Sequence, residues 1–190
     1  VLAPKSKADL AFTMHMLSWL STSGTAAIVE FPGVLYRGGA EQKIRKYLID
    51  NNYIDCVIQL PPDLFFGTTI ATCIIVLKKS KKDNKTLFID ASAEFVRGGN
   101  KNKLSDENRK KILNAFIKRK DAEYFAKLID NEKIVENDYN LAVSSYVVAE
   151  DTREVTDIKE LNQKISEIVK RQNELRLAID KIVGEIEGKH

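Results

Sequence analysis

The sequence predicts an α/β fold built on a mostly parallel sheet that helices cover. Helix-like and strand-like patterns alternate along the first 90 residues, and the strand-like runs are mostly apolar, which is typical of buried strands. The chain of 190 residues is 44% apolar and 30% charged, which suits a packed core. Three or four strands are about half of a doubly wound sheet, so we expect the back half of a larger α/β domain.

The first 60 residues predict two helices and two strands in alternation. Apolar side chains recur at helical spacing over residues 6–20, and a short apolar run at 25–29 predicts a strand. Residues 41–51 predict the second helix, and the run at 54–60 predicts a strand that two prolines end.

Two further strands are predicted at residues 73–77 and 87–90. The loop at 61–72 shows no helical pattern, so we expect the strand after it to return antiparallel to the one before it. Cys56 and Cys73 both lie in strand-like runs, which favours buried free thiols in a reducing cytoplasm. With two cysteines and two histidines, the chain is poorly supplied for a disulfide framework or a zinc site.

The remainder predicts a helix at 104–130, which Ser105 caps, and extended chain near 137–147. We expect three parts: half of an α/β domain at 1–95, a helical and extended extension at 96–150, and a heptad-patterned helix at 151–190. No apolar run approaches the length of a membrane helix, and the chain begins at Val1 without Met or a signal core. We therefore expect a soluble piece of a longer cytoplasmic protein with no membrane partner.

The C-terminal segment carries a heptad seam, with alternating spacings of three and four over four repeats. A single polar residue in such a seam commonly fixes register or partner number. The pattern predicts docking on a partner helix, and the alternative is a helix that folds back on its own domain. The seam residues are Ile158, Leu161, Ile165, Ile168, Gln172, Leu175, Ile179, Ile182 and Ile186.

Charge is unevenly distributed although the net charge is only +3. Residues 97–120 hold nine basic and two acidic side chains, whereas residues 121–160 hold four basic and eleven acidic ones. Such a basic block predicts phosphate contact through Lys110, Lys111 and Lys118. The alternative is a solvated helix whose charges pair with their neighbours, which is the commoner meaning of a charge run.

Two loops follow predicted strands and hold aromatic, small and polar residues together, at 31–39 and 61–69. Ligands of open α/β sheets bind beyond the carboxyl ends of the strands, and aromatic side chains there suit a stacked base. Arg37 is the candidate for a phosphate contact. The alternative for Phe65 and Phe66 is that at least one of them closes the end of the core.

Several motifs resemble those of the modification subunit of type I restriction-modification systems. They are APKSKADLAF at 3–12, FPGVLYRGGAE at 31–41, IRKYL at 44–48, LPPDLFFGT at 60–68 and NDYNL at 137–141. The resemblance implies an N6-adenine DNA methyltransferase that uses S-adenosylmethionine, with the methyltransferase sheet and its antiparallel strand. It also implies that the Gly-rich cofactor loop and the N-P-P-[FY] catalytic loop lie upstream, since the chain has neither.

The resemblance further implies that the loop of Phe65, Phe66, Gly67 and Thr68 lines the pocket of a flipped adenine. Phe65 is the expected stacking residue and Phe66 the alternative, and no catalytic polar group is expected in this chain. No bound cofactor is expected without the upstream part. The implied partners are double-stranded DNA, a specificity subunit and a restriction motor subunit. The competing hypothesis is a non-catalytic interaction module whose function is the C-terminal helix.

Overall fold

The computed structural model describes residues 2–150 and 157–188. The chain divides into two compact units, Val1–Glu150 and Asp151–His190. The helices are α1 (Asp9–Trp19), α2 (Ala40–Asp50), α3 (Asp106–Lys118), α4 (Asn131–Glu136) and α5 (Ile158–Glu187). The strands are β1 (Thr25–Glu30), β2 (Ile54–Gln59), β3 (Cys73–Lys78), β4 (Lys85–Asp90), β5 (Val96–Gly98), β6 (Lys101–Lys103) and β7 (Ala126–Asp130).

Five strands form the main sheet in the order β1-β3-β2-β4-β7. Strands β1, β2 and β4 run in one direction, and β3 and β7 run in the other. The predicted α/β class with a mixed sheet is confirmed, and so is the antiparallel return of β3 beside β2. The expectation of a mostly parallel sheet is wrong, because β3 lies between β1 and β2 and only β2 and β4 pair in parallel. The second antiparallel strand, β7, was not predicted. Strands β5 and β6 form a separate hairpin.

Helices cover the sheet on both faces because alternate strand residues point to opposite sides. Residues from α1, α2 and α4 pack on one face around Phe88, while Ile112 and Phe116 of α3 pack on the other face near Ile58. This two-sided burial explains why most successive residues of β2, β3 and β4 are buried, instead of alternating between buried and exposed. Among the described residues, no helix is both long and apolar enough to cross a bilayer.

The predicted helix over 104–130 is wrong in its second half. It begins as expected, with Ser105 accepting a hydrogen bond from the Asn108 N–H in a capping box. It ends at Arg119, whose φ of 47° is left-handed and whose guanidinium bonds to Asp55 at 2.9 Å. The chain then turns and adds β7 to the edge of the sheet beside β4.

The prediction of extended chain near 137–147 is also wrong. Asp138 and Tyr139 both have positive φ, and a 3-10 turn follows at Val143–Ser145. This coiled segment packs against α2, because Arg45 donates a hydrogen bond to the Tyr139 carbonyl at 2.8 Å. Phe88 stacks on the Tyr146 ring with centroids 4.3 Å apart. Side-chain contacts therefore fix its path.

The two cysteines are free and buried, as expected. Burial raises the pKa of the Cys73 thiol to about 12 and also raises the pKa of Cys56, near the Asp55 carboxylate. Since the thiolate is the reactive form, we expect neither cysteine to react with Ellman's reagent in the folded chain. Both are expected to react at once in denaturant, and rapid labelling of the native chain would contradict this assignment.

Candidate functional site

The two loops singled out in the sequence emerge from the same edge of the sheet. Glu30 ends β1 and Gln59 ends β2, and both residues are paired with Cys73 of the strand between them. Two strand spacings separate the loop starts by roughly 10 Å. The loop after β1 and the loop between β2 and β3 therefore stand side by side at the carboxyl ends of parallel strands, where a shared ligand site is expected.

The β2–β3 loop, residues 60–72, is closed at its base by backbone hydrogen bonds. The Leu60 N–H donates to the Thr72 carbonyl at 2.9 Å, and the Asp63 N–H donates to the Thr69 carbonyl at 3.2 Å. Near the tip, Gly67 has a φ of 83°, a conformation that other side chains rarely adopt. The loop is thus a closed structure that presents its tip to solvent.

The two aromatic side chains of this loop are exposed. Phe65 keeps 41% of its surface accessible, and Phe66 is fully accessible. The alternative that one of them closes the core is therefore wrong, because the neighbouring Leu64 packs against the core instead. The Thr68 hydroxyl accepts a hydrogen bond from the Ile70 N–H and so braces the loop locally. Base stacking by Phe65 or Phe66 stays a prediction.

Polar side chains outside this loop bond to it, and the sequence did not predict this cluster. The Asp63 carboxylate accepts hydrogen bonds from Lys101 at 2.7 Å and Arg97 at 2.9 Å. Hydrogen bonds from Lys101 and, to a smaller extent, Arg97 lower the pKa of Asp63, so the carboxylate stays ionised at a lower pH than an ordinary aspartate and the ion pairs are lost only in acid. The Gly98-Gly99 turn was the one sequence signal for the hairpin that carries both cations.

The loop after β1 is held by two charged side chains of α2. Arg45 is buried and donates to the Val34 carbonyl at 2.9 Å. Arg37 lies over Gly33 and approaches the Glu41 carboxylate at 3.6 Å, with more than a third of its side chain exposed. Its guanidinium remains accessible from solvent, and phosphate contact through Arg37 stays a prediction.

A buried carboxyl group sits where β1 ends and was also missed in the sequence. Glu30 accepts a hydrogen bond from the Thr13 hydroxyl at 3.0 Å. Burial raises the pKa of Glu30, the Thr13 bond opposes this, and the nearby Asp9 and Glu41 carboxylates raise it further. Two carboxyl groups, those of Glu30 and Glu41, are therefore buried close to each other near the start of the loop after β1.

The basic block is partly neutralised within the chain. Besides the two cations on Asp63, Arg109 pairs with Asp106 and Lys111 pairs with Glu94. Lys110, Lys111 and Lys118 do share one surface, because they line a groove of about 540 Å³ beside Phe125. Phosphate contact at this surface stays a prediction. Several of the nine basic side chains counted in residues 97–120 pair with carboxylates, so fewer of them are available for phosphate.

Comparison with known proteins identifies the family. The family model described as "N-6 DNA Methylase" matches residues 1–155, which include every element of the main sheet and both loops. The chain belongs to the N-6 DNA methylase family.

Curated relatives agree with this assignment. The chain is 52% identical over 186 residues to the methylase subunit of the type I restriction enzyme MpnII from Mycoplasma pneumoniae. It is 36% identical over 191 residues to the MjaVII methylase subunit from Methanocaldococcus jannaschii. Each alignment covers 97% of this chain, but 34% and 32% of those relatives. This N-6 DNA methylase chain thus spans about a third of the length of its relatives.

Solved structures confirm the fold. A type I methyltransferase subunit from Streptococcus thermophilus matches 77% of this chain and 31% of its own length, with 50% identity and a TM-score of 0.75. A structure from work on complex assembly of the type I restriction-modification system matches 95% of this chain and 40% of its own, with a TM-score of 0.57 at 16% identity. The resemblance to type I modification subunits seen in the sequence is confirmed.

The described part of the C-terminal unit of this methylase chain, residues 157–188, forms one long helix, as predicted. α5 runs without interruption from Ile158 to Glu187, and the Asp157 carboxylate caps it by accepting from the Lys159 N–H. All of its described side chains are exposed, including the apolar seam from Ile158 to Ile186. Docking of this seam on a partner helix stays a prediction.

Proposed function

We propose that this chain is the carboxyl-terminal part of an adenine-specific DNA methyltransferase subunit of a type I restriction-modification system. The observation that carries the proposal is the 52% identity to such a subunit over 97% of the chain. The intact subunit would act in the cytoplasm and transfer a methyl group from S-adenosylmethionine to adenine N6 in DNA. The cofactor's Gly-rich loop and the N-P-P-[FY] loop would come from residues outside this chain, which contains neither.

In this proposal the exposed aromatic loop forms one wall of the target-base pocket. The amino group of adenine is unreachable inside a duplex, so the base must rotate out at a cost of a few kcal/mol. Stacking on an aromatic side chain returns about 1–3 kcal/mol. Phe65 and Phe66 are accessible for such stacking, while Arg37 and the α3 lysines supply positive charge for the DNA backbone.

Uncovered apolar surfaces support the proposal that the sheet belongs to a larger domain. A groove of about 380 Å³ lies between α3 and the sheet face of β1 and β3, lined mostly by apolar side chains. On α1, Phe12 and Trp19 are largely exposed, so the helix carries apolar side chains on its outer face as well as on its buried face. Within the described part of the chain, β1 is an edge strand, open for pairing with a further strand.

The C-terminal helix is proposed to bind the specificity subunit. A type I system places sequence recognition in that subunit, and restriction additionally requires the motor subunit. The structural neighbour from work on type I complex assembly covers 95% of this chain, which includes residues of the helical unit. An exposed apolar seam over a 30-residue helix is a suitable docking element for helices of that subunit.

The aromatic wall is tested by truncating each phenylalanine in the full-length subunit assembled with its specificity subunit. We expect at least one of Phe65→Ala and Phe66→Ala to lower kcat/KM for DNA methylation by about tenfold, because a stacked base loses its platform. The same variant should reduce the fluorescence of 2-aminopurine placed at the target adenine. The control is Ile70→Ala, which removes an exposed apolar side chain from the same loop. Wild-type kinetics and fluorescence in both phenylalanine variants would refute the assignment.

A further inference from the structure

The β5–β6 hairpin lies outside the main sheet and is too small to stand alone. Each strand has three residues, and two-stranded hairpins of that size are marginally stable in water. Its polar side chains are not directed to the hydrophobic core. They bond instead to the β2–β3 loop, which carries the exposed Phe65 and Phe66.

Lys101 is the one hairpin side chain that bonds to the loop on both sides of the aromatic pair. Its ammonium donates to the Asp63 carboxylate at 2.7 Å, before the aromatic pair, and to the Thr68 carbonyl at 3.0 Å, after it. These two contacts connect the arms of the loop across the base of its tip. A change in their separation would move the aromatic rings.

The other hairpin contacts fix only the first arm. Asn102, which is nearly buried, donates from its amide to the Pro62 carbonyl at 2.9 Å, and its backbone N–H donates to the Asp63 carbonyl at 2.9 Å. Arg97 bridges the Asp63 carboxylate and the Asn102 side chain at 2.9 and 3.0 Å. The hairpin is thereby attached to one arm, and Lys101 extends from this attachment to the other.

We infer that Lys101 is a positioning residue, which holds the aromatic loop in the geometry that receives the extruded base. This inference rests on the proposed function of the loop. A loop tip that is already ordered loses no further conformational freedom when the base binds. The base is therefore bound more tightly and aligned more accurately. Two donors of the ammonium are engaged within the chain, so Lys101 acts through the loop and is distinct from the lysines proposed to contact phosphate.

The loop attachment is tested first in this chain by proteolysis, independently of any activity. Chymotrypsin cleaves after Phe65 or Phe66 when the loop opens, and mass spectrometry identifies the cut. We expect Lys101→Met to increase the rate of this cut by about tenfold, since two charge-assisted hydrogen bonds are lost. The matched control is Lys103→Met, two residues along the same strand, where the lysine is exposed and forms no ion pair with the described residues.

The positioning role is tested next in the full-length subunit assembled with its specificity subunit. Lys101→Met should lower kcat for methylation by about tenfold and reduce 2-aminopurine fluorescence, while binding of S-adenosylmethionine keeps its wild-type affinity. Lys101→Arg should restore most of kcat, because it retains a positive donor. Lys103→Met should behave as wild type in both measurements.

The outcomes separate the inference from the function on which it rests. An unchanged rate of cleavage in Lys101→Met overturns the loop attachment. Faster cleavage with normal methylation, in an enzyme that Phe65→Ala or Phe66→Ala impairs, overturns the positioning role and leaves the aromatic wall intact. Normal methylation in all of these variants overturns both the positioning role and the proposed base contact. Failure of Lys101→Arg to restore kcat also counts against positioning by this ammonium.

Discussion

Deleting residues 157–190 from the full-length methylase subunit is expected to abolish its association with the specificity subunit. The deletion removes α5, whose seam side chains from Ile158 to Ile186 are about half to three-quarters exposed. Burying a large aliphatic side chain contributes about 1.5–3 kcal/mol, so several such side chains on one face are enough to dominate a helix–helix interface. Co-purification and size-exclusion chromatography of the two subunits measure the loss.

Point variants keep the helix and change only its seam. We expect Ile168→Lys with Leu175→Lys to prevent association, since two charges would be buried at seam positions one heptad apart. The control pair is Ser166→Lys with Asn173→Lys, which adds the same charge at exposed positions outside the seam. Circular dichroism should show equal helicity in both pairs. A complex that survives the deletion, or that both pairs weaken equally, would contradict docking through the seam.

The elements that the sequence predicts well are those whose apolar residues form a regular pattern along the chain. Strands β2, β3 and β4 lie inside the sheet and are covered on both faces, so most of their successive residues are apolar and buried. The seam of α5 keeps its period, and the observed helix spans the whole seam predicted from Ile158 to Ile186. The exposed Phe65 and Phe66 were found because aromatic residues followed a strand end.

The errors have a common physical origin in contacts between distant residues. Phe125 and Ile129 continue an apolar pattern beyond α3, whereas the helix ends because Arg119 turns left-handed and bonds to Asp55, 64 positions earlier. Asp63 pairs with cations 34 and 38 positions away, on strands too short and polar to give a periodic signal. Local spacing carries no information on such pairs, so the loop attachment was found only in the structure.

Replacing Arg45 with Met is expected to cause the largest loss of stability of any single change considered for this chain. Arg45 is 2% exposed, and its guanidinium donates to the carbonyls of Tyr139 and Val34 at 2.8 and 2.9 Å. Burial lowers its pKa to about 10, and the Glu41 carboxylate opposes this, so the side chain stays charged at neutral pH. Met fills similar volume but leaves both carbonyls without this donor.

Each unsatisfied buried acceptor costs about 1–3 kcal/mol, so we expect a loss of about 3 kcal/mol in the free energy of unfolding. The melting temperature should then fall by about 6–12 °C. Urea unfolding followed by near-ultraviolet circular dichroism measures the change, and Lys43→Met, at an exposed position of the same helix, is the control. Arg45 joins two segments, the loop after β1 at Val34 and the turn at Tyr139. Equal stability of the two variants would show that neither segment depends on the buried guanidinium.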